Sequence, residues 1–270
     1  MVYHSLGYCK LLLFLQKITK CSYIGEIEEI YQDVSKMRDS VCKAEYKFIY
    51  SCKKYLFPTQ LLSEKINSAD KPHVIIHGIY MPEESFNVSF CDNDVHVVYA
   101  GTLDPNKGGA NAAILSANYL PSNFHLHILG FGSSNTVKNI MELIGKVAQT
   151  APAKITFEGL LKGKDFSRFL QKCHIGLSTQ DPHANFNNTS FPSKILTYLA
   201  NGLKVVSIKI PVVENSFIGK CITYYNVQSP EDIARAIVLS SQKTDETVKN
   251  VLLELDIRFI NDLKELLAIG

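Results

Sequence analysis

Three loops in the second half of the chain carry residues whose types and spacing suit the binding of a phosphorylated ligand. The first loop, AGTLDPNKGG at 100–109, places Lys107 directly before two glycines at a predicted helix start. A lysine in that position can bind a diphosphate as a point charge while the helix dipole assists. A lysine near a helix start is also commonly a solvated surface residue, so this loop alone does not decide between the two interpretations.

The second loop, LGFGSSN at 129–135, has Gly130 and Gly132 where a helix begins. Glycines there let a ligand approach the backbone closely, but two glycines without a third fall short of a dinucleotide fingerprint, and an ordinary tight turn between strand and helix stays open as the alternative. His125 and His127 alternate along the preceding strand and so point to one face. Without an acidic or sulfur partner at metal-binding spacing, we interpret them as packed or solvent-bridged imidazoles and predict no metal site.

The third loop is the most informative, because a long polar passage after a strand is more often functional than not. It lies within STQDPHANFNNTSFPSKILTYLANGLKVVS at 178–207 and leads into a short helix through Pro-Ser-Lys. At that helix start, Ser190, Ser193 and Lys194 offer hydroxyl, ammonium and backbone N–H groups to phosphate or sugar oxygens.

All three loops follow predicted strands of one parallel sheet. Short apolar runs alternate with helical patterns from about residue 95, which is typical of βαβ units buried on both faces. The predicted strands are 96–101, 124–130, 153–159, 173–178, 203–208 and 221–225. Ligands of such sheets bind at the carboxyl ends of the strands. The sequence therefore predicts a complete Rossmann-like α/β domain over 95–242, with the three loops at its binding edge.

The first half follows the same pattern less completely. We predict helices at 5–18, 34–46 and 58–67 and strands at 21–27, 47–51 and 73–78. Three strands are fewer than an independent α/β domain usually has, so residues 1–80 are interpreted as an incomplete Rossmann-like domain. Residues 81–94 are a polar interdomain linker, and 243–270 are a C-terminal segment whose apolar residues recur at helical spacing over 243–268.

Length and composition exclude several classes of protein. The chain has 270 residues, 46% of them apolar and 20% charged, as in folded globular proteins. Its 28 lysines and arginines against 26 acidic residues leave a net charge of +2, too small for the positive field that nucleic acids select. We therefore expect no nucleic-acid partner.

The cysteines and the apolar runs bear on the cellular compartment. Seven scattered cysteines without a CxxC pair indicate reduced thiols and a cytoplasmic protein. The longest apolar run, 11–15, is too short to span a bilayer. Because Lys10, Lys17 and Lys20 flank this run, peripheral contact with the inner face of the membrane stays open beside the alternative of a core helix with a solvated face.

At this point the motifs carry a resemblance to a known family. Residues 96–240 resemble the donor-binding domain of the GT-B fold family 4 glycosyltransferases, which are retaining enzymes that use nucleotide-sugar donors. The matching segments, in order, are VVYAGTLDPNKGG, HILGFG, ITFEGLLKGKDFSRFLQKCHIGLS and FPSKILTYLANGLKVVS. The segments VYHS, YIGEIEEIYQD and HVIIHGIY are similar to the later part of the family's acceptor domain. The resemblance implies a GT-B-like fold whose acceptor domain is truncated at its N-terminus and whose C-terminal helix, at 243–270, packs back towards the first domain.

The resemblance also implies roles for individual residues. Lys107 matches a lysine that binds the donor diphosphate, Gly101 and Gly130 match glycines near the donor, and Glu26 and Glu28 fall near the family's acceptor-side catalytic position. The full donor-binding set that we predict, combining the loops and the resemblance, is Gly101, Thr102, Lys107, Gly130, Gly132, Thr189, Ser190, Ser193, Lys194 and Thr197.

Three of these residues depart from the family's pattern. Thr102 stands at the position of an arginine that binds the diphosphate, and Thr189 and Thr197 stand where the family commonly has two carboxylates. A threonine hydroxyl offers one neutral hydrogen bond to a ribose, whereas a glutamate offers charge-assisted ones. The departures predict weakened donor binding.

Three functional hypotheses follow. The first is a glycosyltransferase that moves a sugar from a nucleotide-sugar to a glycan or lipid-linked acceptor in surface-polysaccharide biosynthesis, with no metal or other cofactor. The second is a truncated or degenerate relative without catalysis. The third is another α/β nucleotide-binding protein, such as an epimerase or a dehydrogenase, against which the absence of GxGxxG stands.

Overall fold

Two separate parallel sheets organise the chain. The structure is a computed structural model that describes residues 1–34, 37–104, 109–244 and 248–268. The first sheet has the order β1-β2-β3-β4, with β1 Val2–Tyr3, β2 Ile24–Glu26, β3 Lys54–Phe57 and β4 His73–Ile75. The second has the order β10-β9-β8-β5-β6-β7, with β5 Val95–Thr102, β6 Phe124–Phe131, β7 Lys154–Gly159, β8 Ile175–Ser178, β9 Lys204–Ile208 and β10 Ile222–Tyr225. The six strands predicted for the second half are confirmed.

Helices connect the strands in both halves. The first half contains α1 Cys9–Thr19, α2 Tyr31–Val34, α3 Asp39–Ser51 and α4 Gln60–Ile66. The second half contains α5 Gly109–Ser116, α6 Ser134–Val147, α7 Gly163–Leu170, α8 Lys194–Ala200, α9 Pro211–Glu214, α10 Pro230–Gln242 and α11 Val248–Ala268. Residues 81–94, all of them described, contain no helix or strand and connect the two halves.

Two predictions for the first half are wrong. Residues 47–51, predicted as a strand, form the last turn of α3, and the strand that follows is β3, Lys54–Phe57. The run belongs to a helix because Glu45, Phe48, Ile49 and Cys52 are all buried at the three- and four-residue spacing of one helical face. The first sheet also has four strands rather than about three, since β1 pairs with β2 in parallel.

The second sheet is buried on both faces, as its continuous apolar strands require. Val97 and Val98 on β5, neighbours that point to opposite faces, are both fully buried, and so are Leu126 and Ile128 on β6. Each such side chain contributes about 1.5–3 kcal/mol of transfer free energy to folding. Side-chain caps fix where helices begin: Ser133 Oγ accepts from Thr136 N at the start of α6.

The last helix, α11, connects the two halves. Its residue Leu252 is buried in the core of the second sheet, whereas Leu266 near its end packs with Leu56 and Val74 of the first. Lys54 Nζ donates a 2.7 Å hydrogen bond to the carbonyl oxygen of Leu266. In the part of the chain that the structure describes, no helix is long and apolar enough to cross a membrane.

The strand order creates one crevice at the carboxyl edge of the second sheet. The chain runs outward through β5, β6 and β7, then returns to the other side of β5 with β8. Loops that leave β5 and β8 therefore diverge, which opens a space between them. Such switch points are where open α/β sheets bind ligands.

Candidate functional site

A cleft of about 1100 Å³ opens at this switch point. Its floor is formed by the last residues of β5 and β6, and its walls come from the loop after β7 and the loop that leads into α8. Glu29, from the first half of the chain, also lines the cleft. The cleft is thus the place where both halves meet a common space.

The floor of the cleft depends on glycine at the end of β6. Gly130 pairs with Gly101 across the two strands, and a Cβ added to Gly130 would lie 2.2 Å from the carbonyl oxygen of Gly101. No real side chain tolerates that distance without a shift of the backbone. Glycine at this position therefore keeps the two strand ends close together and the floor open to a ligand.

Tyr198 fixes helix α8 against the sheet. Its hydroxyl accepts a 2.8 Å hydrogen bond from Ala100 N and lies 3.3 Å from the carbonyl oxygen of Leu177, so it joins β5 to β8. Its ring packs so closely on Gly176 that a Cβ there would lie 2.3 Å from it. Burial raises the pKa of Tyr198, which keeps the phenol neutral. These contacts fix the position of α8, and with it the position of its first turn, relative to β5 and β8.

That first turn carries Lys194, the cation in the described lining of the cleft. Its Nζ lies 4.0 Å from the centroid of the Tyr99 ring, and a Cβ added to Gly101 would be 3.0 Å from the same atom. Burial raises the pKa of Tyr99 to about 12, so its ring stays neutral and can hold the ammonium by its face. Lys194 therefore holds a positive charge over the end of β5.

Three side chains that line the cleft have buried polar atoms with no hydrogen-bond partner among the described residues. They are Ser190 Oγ, Asn187 Oδ1 and Gln180 Nε2. A buried polar atom that stays unsatisfied costs about 1–3 kcal/mol, and proteins rarely tolerate several in one place. All three line the same cleft as Lys194, so they are available to hydrogen-bond to a polar ligand or to water.

The opposite end of the cleft is apolar. Phe131 at the end of β6 and Leu160 and Leu161 after β7 line it. Phe131 is 53% and Leu160 49% exposed, so the ring of Phe131 and the side chain of Leu160 are accessible to a planar ligand. The cleft therefore has a cationic end at β5 and β8 and an apolar end at β6 and β7.

Seven of the residues predicted from sequence line this cleft, and four do not. Those in its lining are Gly101, Thr102, Gly130, Ser190, Ser193, Lys194 and Thr197. Gly132 lies in the turn before α6, where an added Cβ would meet the Thr136 side chain at 3.1 Å. Lys107 lies outside the described residues.

Thr189, Glu26 and Glu28 also lie outside the lining. Thr189 is buried, and its carbonyl oxygen accepts a 2.8 Å hydrogen bond from Thr59 of the first half. Glu28 accepts a 2.8 Å hydrogen bond from Tyr3. Burial and the neighbouring Glu28 raise the pKa of Glu26 at the end of β2. Glu29, which sequence reasoning did not single out, is the glutamate of this segment that lines the cleft.

Outside the cleft, the expectation that His125 and His127 have no acidic partner is wrong. His127 does have an acidic partner, because Glu158 Oε1 lies 2.8 Å from its Nδ1. Glu158 is on β7, the neighbouring strand, 31 positions along the chain. Spacing along the sequence could not reveal a partner that sheet pairing brings next to His127.

No family model and no curated protein sequence matches the chain. Solved structures do match it, at low sequence identity. HepE from Anabaena, in complex with UDP, has a TM-score of 0.72 at 15% identity, with 99% of this chain and 77% of that chain covered. The sucrose-phosphate synthase of Thermosynechococcus elongatus has a TM-score of 0.72 at 12% identity, with 99% and 73% covered.

A third similar structure is an α,α-trehalose-phosphate synthase (UDP-forming) from Burkholderia vietnamiensis, with a TM-score of 0.62 at 11% identity and 98% and 71% of the two chains covered. HepE has also been solved with UDP-glucose. These similarities confirm the GT-B-like α/β fold with parallel sheets that the sequence predicts, because they extend over almost the whole chain.

Proposed function

We propose that the cleft binds a nucleotide-sugar and that the protein is a glycosyltransferase, which moves the sugar to a glycan or lipid-linked acceptor in surface-polysaccharide biosynthesis. The observation that carries the proposal is the set of three unsatisfied buried polar atoms in the same cleft as Lys194. Donors and acceptors of hydrogen bonds next to one cation suit hydroxyl and phosphate groups. The similar structures solved with UDP and UDP-glucose support the same ligand class.

The two ends of the cleft set the orientation of the donor. The diphosphate lies at the cationic end, against Lys194, and the nucleobase packs on Phe131 and Leu160 at the apolar end. β5 and β7 are two strand spacings apart, about 10 Å, which leaves room for the ribose between the two ends. Thr197, also in the lining, is then the residue that faces the ribose.

In the transfer step, the bond between the anomeric carbon and a diphosphate oxygen breaks while an acceptor hydroxyl oxygen bonds to that carbon, and the proton of that hydroxyl passes to the departing diphosphate oxygen. Negative charge develops on the departing diphosphate, and Lys194 stabilises it there. The acceptor enters from the side of the first half, where Glu29 lines the cleft. Retention of the anomeric configuration, and transfer without a metal or other cofactor, are part of the proposal through the family resemblance.

Two substitutions separate a working donor site from a degenerate one. We expect Thr197→Glu and Thr102→Arg each to tighten UDP binding about tenfold, because each replaces a neutral contact by charge-assisted ones worth about 1–2 kcal/mol more. Isothermal titration calorimetry measures both, and Thr150→Glu, at an exposed threonine near the end of α6, is the matched control.

The outcome also decides between the first two functional hypotheses. If the wild-type protein binds UDP and transfers sugar, and Thr197→Glu lowers that activity, the threonine is a working adaptation and the degenerate alternative fails. If the wild-type protein binds no UDP and neither substitution creates binding, the donor site proposed here is wrong.

We also propose that α1 contacts the cytoplasmic face of a membrane. Leu11, Phe14, Leu15 and Ile18 recur at helical spacing and are all exposed, with Phe14 at 59%. Lys10, Lys17 and Lys20 surround them and are exposed as well. An apolar face flanked by lysines binds the interface of anionic lipid bilayers.

Sedimentation with lipid vesicles tests this contact. We expect the wild-type protein to bind vesicles that contain phosphatidylserine, and Phe14→Glu with Ile18→Glu to abolish the binding. Leu239→Glu, at another exposed leucine on α10, should leave it unchanged. Equal binding by the wild-type and the doubly substituted protein would exclude α1 as the contact.

A further inference from the structure

Three histidines on β5 and β6 form a group that we call the histidine cluster: His96, His125 and His127. His96 pairs directly with His125 across the two strands, and His127 lies two residues further along β6, so all three point to the same face of the sheet. One imidazole nitrogen from each lies within 4.8 Å of the other two. Three ligand atoms are therefore already gathered around one point.

His96 and His127 each direct one ring nitrogen, which we call the inner nitrogen, at the other histidine. The second ring nitrogen of each, which we call the outer nitrogen, is directed at a carboxylate. His96 Nδ1 lies 2.9 Å from His127 Nε2. The outer nitrogens are His96 Nε2, 2.7 Å from Asp92 Oδ1, and His127 Nδ1, 2.8 Å from Glu158 Oε1. Metal-binding histidines commonly donate their second N–H to a carboxylate in this way, which fixes the tautomer and directs the other nitrogen at the metal.

The arrangement needs a cation between the inner nitrogens. Asp92 Oδ1 lies at hydrogen-bond distance from His96 Nε2, and Glu158 Oε1 lies at hydrogen-bond distance from both His127 Nδ1 and the hydroxyl of Thr156. Both carboxylates are thus acceptors, and each outer nitrogen carries the N–H of its neutral ring. The inner nitrogens then direct lone pairs at each other across 2.9 Å, which only a shared proton or a metal ion can relieve.

We propose that the histidine cluster binds one divalent transition-metal ion of the zinc type through His96, His127 and His125. Imidazole nitrogens suit zinc at about 2.0–2.1 Å, which puts two ligand nitrogens of a tetrahedral site about 3.3 Å apart. The inner nitrogens of His96 and His127 have to separate by only a few tenths of an ångström to reach that spacing.

His125 supplies the third ligand. Its Nε2 lies 3.0 Å from Thr156 Oγ1, whose own hydrogen is donated to Glu158, so the threonine oxygen accepts and Nε2 carries the N–H. Nδ1 is then the nitrogen of His125 with a lone pair.

Aromatic side chains enclose the cluster. The Phe90 ring stacks on His96 at a centroid distance of 3.8 Å, and the Phe169 ring of α7 meets His127 edge-on at 5.3 Å. An apolar shell around three imidazoles limits the access of water and strengthens the binding of an ion. His96 lies five residues before Gly101 on β5, about 16 Å away along the strand, so this site is independent of the proposed donor cleft.

Equilibrium dialysis of the wild-type protein against Zn²⁺ tests the proposal. We expect one ion per chain and a rise of the melting temperature with Zn²⁺ concentration, because the ion binds the folded state. His125→Gln, which changes a half-exposed ligand, and Glu158→Gln, which changes the partner of His127, should each weaken the affinity about 10- to 100-fold.

Matched controls exclude binding at other side chains. His183→Gln, at an exposed histidine outside the cluster, and Cys21→Ser with Cys91→Ser, at the two exposed cysteines, should leave the affinity unchanged. Failure of the wild-type protein to bind Zn²⁺ would mean that the cluster is a proton-bridged pair only. Loss of binding in the cysteine variant, with both cluster variants unaffected, would equally overturn the proposal. UDP binding is measured in parallel and is expected to be the same with and without Zn²⁺.

Discussion

Replacing Lys194 with alanine is expected to weaken UDP binding about 10- to 100-fold. The ammonium group stands over the end of β5, 4.0 Å from the centroid of the Tyr99 ring, and is the cation that the described lining of the cleft offers to a diphosphate. A hydrogen bond to a charged group contributes about 1.5–3 kcal/mol, and each 1.4 kcal/mol corresponds to a factor of ten in affinity. Calorimetric titration with UDP measures the change.

Two further variants make this test specific. Lys194→Gln keeps most of the side chain and removes the charge, so it should lose nearly as much affinity as the alanine variant. Lys53→Ala, at an exposed lysine at the amino end of β3, should bind UDP like the wild-type protein. Because the contact is electrostatic, added salt should weaken UDP binding by the wild-type protein more than by Lys194→Gln. Equal affinity in the wild-type protein and Lys194→Gln would mean that the diphosphate lies elsewhere.

Gly130→Ala is expected to lower the free energy of unfolding by about 1–3 kcal/mol and to reduce UDP binding as well. The new Cβ would lie 2.2 Å from the carbonyl oxygen of Gly101 and 2.9 Å from the Leu103 side chain. Because the nearer of these atoms belongs to the backbone, the clash is relieved only if the ends of β5 and β6 move apart. These strand ends form the floor of the cleft. Chemical denaturation and calorimetry measure the two effects.

Gly145→Ala is the matched control for this substitution. Gly145 lies in α6, and nothing stands within 4 Å of the position that its Cβ would take. Alanine is favoured over glycine inside a helix by about 0.5–1 kcal/mol, so this variant should be slightly more stable than the wild-type protein and bind UDP equally. A Gly130→Ala protein with wild-type stability and affinity would contradict the close approach of the two strand ends.

The strands of the second half were predictable because burial on both faces leaves a local signature. Runs such as 96–101 and 203–208 are predominantly apolar, with neighbouring valines that point to opposite faces of the sheet, so their assignment as strands needs no knowledge of the neighbouring strands. The run at 47–51 has the same apolar, β-rich character, but short runs of that kind are ambiguous between a strand and a buried helix. There the helical spacing of the apolar residues Phe48, Ile49 and Cys52 was the signal that could have identified α3.

The lining of the cleft was predictable only where its residues are close together in the sequence. Lys194, Ser193 and Ser190 follow one predicted strand and precede one helix, so their common location could be inferred from the order of elements. The unsatisfied atoms of Gln180 and Asn187 could not, because burial without a partner depends on what surrounds a residue in space. The same holds for Tyr198, whose burial requires Gly176 and Ala100 on two different strands.

A crystal structure of the protein with UDP tests the central claim most directly. We predict that the diphosphate is within hydrogen-bonding distance of Lys194 Nζ, that Ser190 Oγ or Asn187 Oδ1 gains its missing partner from the nucleotide, and that the base packs against Phe131 and Leu160. A nucleotide bound outside this cleft, or an empty cleft at a UDP concentration that saturates the protein in solution, would contradict the account.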